Sequence, residues 1–320
     1  FSLPIGGALA TPGVLGALAR RGEELGFGFV STGDHLIVPT QVRSRYPYSV
    51  TGEFGDASSF LDQPTMLSFL AAATSTIRLV TGVLVVPYRN PVHTAKVLAT
   101  IDLLSNGRLT VGCGVGWMRE EFEALGAPPY EQRGTATDEY IRAFIELWTS
   151  DEPQFHGRYC NFSDVVFDPK PTQKPHPPIW IGGESPRALK RAAALGDAWF
   201  PIGTNPKHRL TTLSELRLAV DHLYEYAEDA GREPTDIDVA YAVGWRVGDE
   251  TAMDVDRHDR LLTGPINRVE ADLAALDALG VHHLSVGLIG GTVADSIDAM
   301  ERFAGEIFPL STPRTQDAPV

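Results

Sequence analysis

IRLVTGVLVVPYRNPVHTAKVLATIDLLSNGRLTVGCGVGWMREEFEALG, residues 77–126, decides the fold. Ile77, Leu79, Val80 and Val83 to Val86 form a β-branched apolar run too continuous for a half-exposed strand, so it predicts a parallel strand buried on both faces and ending at Pro87. After the loop YRNP, apolar Val92, Ala95, Val97, Leu98, Ile101 and Leu104 recur at helical spacing, and Asn106-Gly107 supplies the left-handed stop. Leu109 to Gly112 then resumes as strand. Two parallel strands need such a crossover, and its right-handedness puts both strand C-termini, Val85-Val86 and Gly114-Gly116, on one rim. That rim is where chemistry is expected.

Working outward, the same alternation repeats. Upstream, Ser2 to Ile5 and Phe27 to Ser31 read as strands flanking a helix over Pro12 to Leu25, and Gln63 to Thr74 reads as the next helix. Downstream, helices are expected over Glu120 to Leu125 and Thr135 to Trp148. Then Phe155 to Pro178 changes pattern, with short apolar alternation and five prolines that predict a β-hairpin and an extended arm. Strands at Ile179 to Ile181, Ala198 to Phe200, Asp238 to Trp245 and Leu284 to Leu288 alternate with helices at Arg187 to Leu195, Thr211 to Ala230, Val269 to Leu279 and Val293 to Ile307. Eight βα units of this hydrophobicity favour an α/β chain closed as a (β/α)8 TIM barrel, because a closed sheet has no edge strands, with insertion segments at the C-terminal rim. The expectation is a single domain over residues 1–308, with insertions at about 36–62, 150–178 and 246–266, and a loose tail over 309–320.

Composition narrows the partners. The 320 residues carry a formal charge of -14, which excludes a polyanion partner in the absence of a basic face, so no nucleic acid or anionic membrane is expected. No apolar run approaches the roughly 20 residues of a membrane span, and a cytoplasmic protein is expected. Two cysteines, Cys113 and Cys160, are too few for a disulfide scaffold, and no histidine shows metal-ligand spacing. His282 and His283, adjacent on a strand, should point to opposite faces.

Chemistry concentrates at strand ends. Asp34 and His35 follow the second strand directly, and a rim histidine suits general acid or base work because imidazole titrates near neutral pH. They lie at the start of a long loop carrying Arg43, Arg45, Tyr46, Tyr48, Phe54 and Phe60, whose aromatic content predicts a cap. GCGVG at residues 112–116 fails the dinucleotide fingerprint, since the third glycine falls at Trp117 or Arg119; bare glycines there would let a flat ring or phosphodiester approach the backbone. WIGGESPRA, residues 180–188, is a glycine turn opening a helix. Ser185 stands at its N-cap and Pro186 at its first position, so Gly182, Gly183 and Ser185 could frame a phosphate.

The 77–126 stretch together with FDPKPTQKPHPPIWIGGESPRALKRAAALGDAW, residues 167–199, closely resembles the bacterial luciferase-like superfamily, in particular its branch that uses the deazaflavin coenzyme F420. The resemblance covers most of residues 3–305. It implies a (β/α)8 barrel with an insertion, a non-prolyl cis peptide at Gly82-Val83 behind the cofactor ring, and a ring lined by backbone at Leu84 and Val85. It further implies Val115 and Gly116 near the cofactor, and Glu184, Ser185 and Arg187 at its phosphate. Asp34 and His35 match the acid and catalytic histidine of deazaflavin-dependent sugar-phosphate dehydrogenases. Their catalytic glutamate is replaced here by Trp117, which with Tyr46 and Tyr48 points to an apolar or aromatic organic substrate. The resulting expectation is an F420-dependent oxidoreductase, paired as a homodimer. FMN in a two-component monooxygenase of the same barrel, or a non-catalytic deazaflavin-binding protein, stand as alternatives.

Overall fold

Short runs of apolar, β-branched residues cannot leave either face in water, and in the computed structural model they condense into one parallel sheet covered by helices. The structure describes residues 1–3, 7, 9–55, 60–243, 247 and 260–310. In chain order the strands are β1 (Phe29–Thr32), β2 (Arg78–Thr81), β3 (Leu84–Val85), β4 (Leu109–Gly114), β5 (Phe155–His156), β6 (Asn161–Phe162), β7 (Ile179–Gly182), β8 (Ala198–Phe200), β9 (Asp238–Val243) and β10 (Val281–Val286). The helices are α1 (Pro12–Leu25), α2 (Gln63–Ala73), α3 (Pro91–Leu104), α4 (Arg119–Leu125), α5 (Arg133–Thr149), α6 (Pro186–Leu195), α7 (Leu213–Asp229), α8 (Ile266–Ala278) and α9 (Val293–Glu306).

The main sheet runs β1-β2-β4-β7-β8-β9-β10, with β3 also paired to β4, and every pairing in it is parallel. Side chains alternate between two layers. Val30, Leu79, Val111, Ile181, Trp199 and Val239 pack outward into the core under the helices, while Phe29, Val80, Trp180, Phe200 and Ala240 form a second cluster on the inner face. There Trp180 meets Phe29 and Phe200 edge-on at 5.6 and 5.3 Å. The sheet curls far enough for the first residues of the chain to touch both of its ends. The Leu3 N–H donates to Ser31 O at 2.9 Å and the Ser2 N–H to Val286 O at 3.4 Å.

Three expectations need correction. The run from Ile77 to Val86 is not one strand: it breaks between β2 and β3 at the Gly82-Val83 peptide, which is cis as the resemblance implied, and a 3-10 turn over Val86–Tyr88 follows. The glycines of β4 do not leave bare backbone for a ring. A Cβ on Gly114 would sit 2.4 Å from Val83 Cγ2, and one on Gly112 only 2.0 Å from Thr81 O. Those positions are glycine because the Thr81–Val83 kink fills the space. Finally, His282 and His283 do not point apart, since a register shift between Val281 and His283 lets both rings reach Asp238, at 2.5 and 3.8 Å.

The hairpin of the 150–178 insertion is present as the antiparallel β5-β6 pair. The first expected strand reduces to a bridge at Ser2; Pro4 and Ile5 fall outside the described residues, as do Gly244 and Trp245, most of the 246–266 insertion and tail residues 311–320.

Candidate active site at the strand C-termini

Asp34 and His35 leave β1 side by side and are held by different walls. The Asp34 carboxylate accepts the Val85 N–H at 2.9 Å and two bonds from the Arg89 guanidinium, at 2.7 and 2.8 Å; Arg89 also reaches Asp62 at 3.0 Å. It therefore fastens β1 to β3 rather than facing a ligand. His35 lies with Nδ1 2.7 Å from Glu121 Oε2. With that nitrogen engaged, Nε2 is the one able to meet a reactant.

An aromatic shell surrounds this imidazole. Phe54 and Phe60 lie 4.9 and 5.0 Å from it and Trp117 6.2 Å, while Tyr46 touches Phe54 at 5.1 Å, Trp117 at 5.1 Å and Tyr48 at 5.6 Å. The cap expected from sequence is thus a loop without helix or strand over its described residues 38–55, folded down onto the strand ends. Helix α4 holds it there. Glu120 Oε1 accepts the Arg43 and Ser44 amides at 2.8 and 3.1 Å, and Glu121 Oε1 accepts those of Leu36 and Ile37 at 2.8 and 3.3 Å. Sequence reading left both glutamates without a role; their place in the first turn of a helix opening at the rim was the available signal.

The glycine turn after β7 is committed differently from its sequence reading. Glu184, 7% exposed, accepts the Ile202 N–H at 2.8 Å, the Asn205 amide at 2.6 Å and the Tyr48 hydroxyl at 3.4 Å. Burial raises its pKa above the usual carboxylate range, against those hydrogen bonds. Burial, with Glu184 beside it, also pushes the Tyr48 phenol well up, so that it stays a donor. The carboxylate ties cap to rim. Ser185 Oγ accepts the Ala188 N–H at 3.3 Å as the N-cap of α6, and Arg187 is exposed beside it. Cys113 is buried and its thiol is pushed up to about 12 by desolvation, which keeps it an inert core group.

A curled parallel α/β sheet carries an acid–imidazole pair and glycine turns at its strand C-termini, the rim where ligands bind in sheets of this kind. Residues 5–283 match the luciferase-like monooxygenase family, and the chain belongs to it. Over 224 residues it is 31% identical to the FMNH(2)-dependent dimethylsulfone monooxygenase of Pseudomonas putida, a match that takes in 68% of this chain and 61% of that enzyme's length. Solved structures share its fold. An F420-dependent secondary alcohol dehydrogenase in complex with an F420-acetone adduct is 19% identical with a TM-score of 0.74, over 95% of this chain and 96% of that one. The coenzyme F420 dependent tetrahydromethanopterin reductase of Methanopyrus kandleri is also 19% identical, with a TM-score of 0.71 over 97% of both chains.

A flavin-type cofactor needs an open floor for its ring and an anion site for its phosphate. Gly82, Val83, Val115, Gly116 and Gly183 are all half-buried, whereas Val80, Thr81, Leu84 to Tyr88, Val111 to Gly114 and Ile179 to Ile181 around them are buried. The mouth of the sheet thus opens onto that floor. At its side the N-terminus of α6 carries the exposed Arg187 cation, and Glu184, turned into its own hydrogen bonds, does not present its charge there. These residues fit such a group.

Proposed function

We propose that this chain is an oxidoreductase that moves a hydride between coenzyme F420 and a small apolar or aromatic organic molecule, with the curled sheet closed as a (β/α)8 barrel through Phe1 to Leu3. The observation that carries the reading is His35, anchored through Nδ1 and packed among Phe54, Phe60 and Trp117 at the strand C-termini. Bound F420 supplies a two-electron hydride carrier. Val83 to Val85, Val115 and Gly116 would support its ring, and Gly182, Gly183, Ser185 and Arg187, through the α6 N-terminus, its phosphate. His35 Nε2 takes up or returns the proton that accompanies the hydride, the cap excludes water, and Trp117 with Tyr46 and Tyr48 selects apolar substrates by contact.

Fluorescence titration of the purified protein with oxidised F420 and with FMN tests the reading. Tighter binding of F420 is expected; preference for FMN would sink it. His35→Ala should lower kcat by about 10²-fold or more with F420 affinity unchanged, and retained turnover would remove His35 from the chemistry. The second reading, an FMN-dependent monooxygenase supplied with reduced flavin by a partner, is supported by the 31% identity to the dimethylsulfone enzyme.

A second copy of the chain is the proposed protein partner. Helices α2 and α3 pack together yet leave Phe69, Val92, Leu103 and Leu104 exposed by 39, 36, 46 and 64%, an apolar face suited to burial against another subunit. Among the described residues no helix is long and apolar enough to cross a membrane. A cytoplasmic enzyme acting on small molecules rather than nucleic acid agrees with the -14 charge.

A further inference from the structure

We propose that Glu121 is the positioning residue that decides which nitrogen of His35 meets the reactants. This rests on the reading of His35 as the proton carrier. Glu121 is fully buried, and its carboxylate is surrounded by four groups from two parts of the chain: His35 Nδ1 at 2.7 Å and the Tyr88 hydroxyl at 2.9 Å on Oε2, the Leu36 and Ile37 amides on Oε1. Two are backbone N–H groups, which can only donate. The third, the Tyr88 phenol, has its pKa raised by burial and by Glu121 itself, so it too remains a donor. A carboxylate has about four acceptor positions, and three of them face fixed donors. The fourth partner completes the set as a donor when His35 carries its proton on Nδ1. Neutral His35 then has a bare Nε2, and the imidazolium formed when Nε2 gains a proton keeps its Nδ1–H on the same carboxylate.

The neighbouring glutamate shows that clipping the cap does not require this arrangement. Glu120 holds Arg43 and Ser44 through Oε1 alone and leaves a buried Oε2 without a hydrogen-bond partner. In Glu121 the second oxygen is given to His35 and Tyr88. The other charged groups near His35 are paired elsewhere: Asp34 with Arg89 and the Val85 amide, Arg89 with Asp62 as well. Tyr46 and Tyr48 lie on the cap side and both are held protonated by burial. Glu121 is therefore the carboxylate that bonds the ring.

Side-chain NMR of the cofactor-free protein labelled with [15N]histidine tests this, the His35 signals being assigned by their absence in His35→Asn. At a pH where the ring is neutral, the expected result is protonation at Nδ1. In Glu121→Gln the amide oxygen can still take the Leu36 and Ile37 N–H groups while its NH2 faces the ring, so the proton should move to Nε2. In the F420-loaded protein the same variant should lose about 10²-fold in kcat, with KM changed less than about threefold. A wild-type ring protonated at Nε2 overturns the assignment and needs no variant to fold; so does a Glu121→Gln ring still protonated at Nδ1. Unaffected turnover in His35→Asn overturns instead the reading on which the assignment rests.

Discussion

Trp117 is the residue at which substrate choice is expected to turn. Its indole packs against Tyr46 and Phe54 at 5.1 and 5.0 Å and stands edge-on to His35, so it forms a wall of the space above the floor. Trp117→Ala should raise KM for an apolar substrate by about tenfold, since losing part of an aromatic contact costs roughly 1–1.5 kcal/mol, while leaving F420 affinity unchanged in the fluorescence titration. An unaltered KM across a series of apolar substrates would show that the indole does not touch them. Single residues were unevenly legible. His35 could be read because a strand end fixes its location on the rim. Glu121 could not, because helical spacing alone does not tell which of two adjacent glutamates turns inward, and its partner lies 86 positions away. The wrong inference about Gly112 and Gly114 has a similar origin, since what fills their Cβ positions comes from a neighbouring strand.

Between elements, carboxylates recur as clips on backbone amides. Glu120 is one. Glu120→Ala should speed hydrogen exchange at Arg43 and Ser44 without altering that of β1, as read by mass spectrometry; equal protection in both proteins would mean the cap is held by its aromatic contacts alone. Glu23 is another, near the end of α1, accepting the Ser75, Thr76 and Ile77 amides and the Thr76 hydroxyl at the entrance to β2. Burial works against its charge, but those donors outweigh it and hold its pKa down at about 2, below the ordinary 4.5. A depressed carboxyl contributes stability above its unfolded value and loses it as pH falls towards the folded one. Glu23→Gln should therefore cost about 1 kcal/mol near neutrality, modest because the group is partly solvated, and the gap should narrow between pH 4.5 and 2; urea unfolding at several pH values measures it. Element type and order were legible because period and capping chemistry are local, as at the Ser185 cap of α6 and the Gly26 stop of α1. The β2-β3 break was not legible from periodicity, since Val83 is as apolar as its neighbours and only its surroundings reveal that it turns inward.

For the molecule as a whole, the apolar α2-α3 face sets a test of assembly. Leu103→Glu with Leu104→Glu places two like charges at that face and should convert a dimer to monomers in light scattering, with the far-ultraviolet circular dichroism unchanged; a dimer that survives would move the interface elsewhere. The fold could be read because βα alternation is repeated through the chain. Cofactor identity could not, because F420 and FMN ask the same of a rim, a floor and an anion site. One consequence of how the cap is anchored reaches beyond this chain. Its two ends are fixed to the chemical framework, Leu36 and Ile37 through Glu121, and Asp62 through the Arg89 guanidinium that also grips Asp34. On the proposed function, transplanting the corresponding stretch of a relative between Ile37 and Asp62 should change which molecules are accepted while leaving His35 bonded to Glu121.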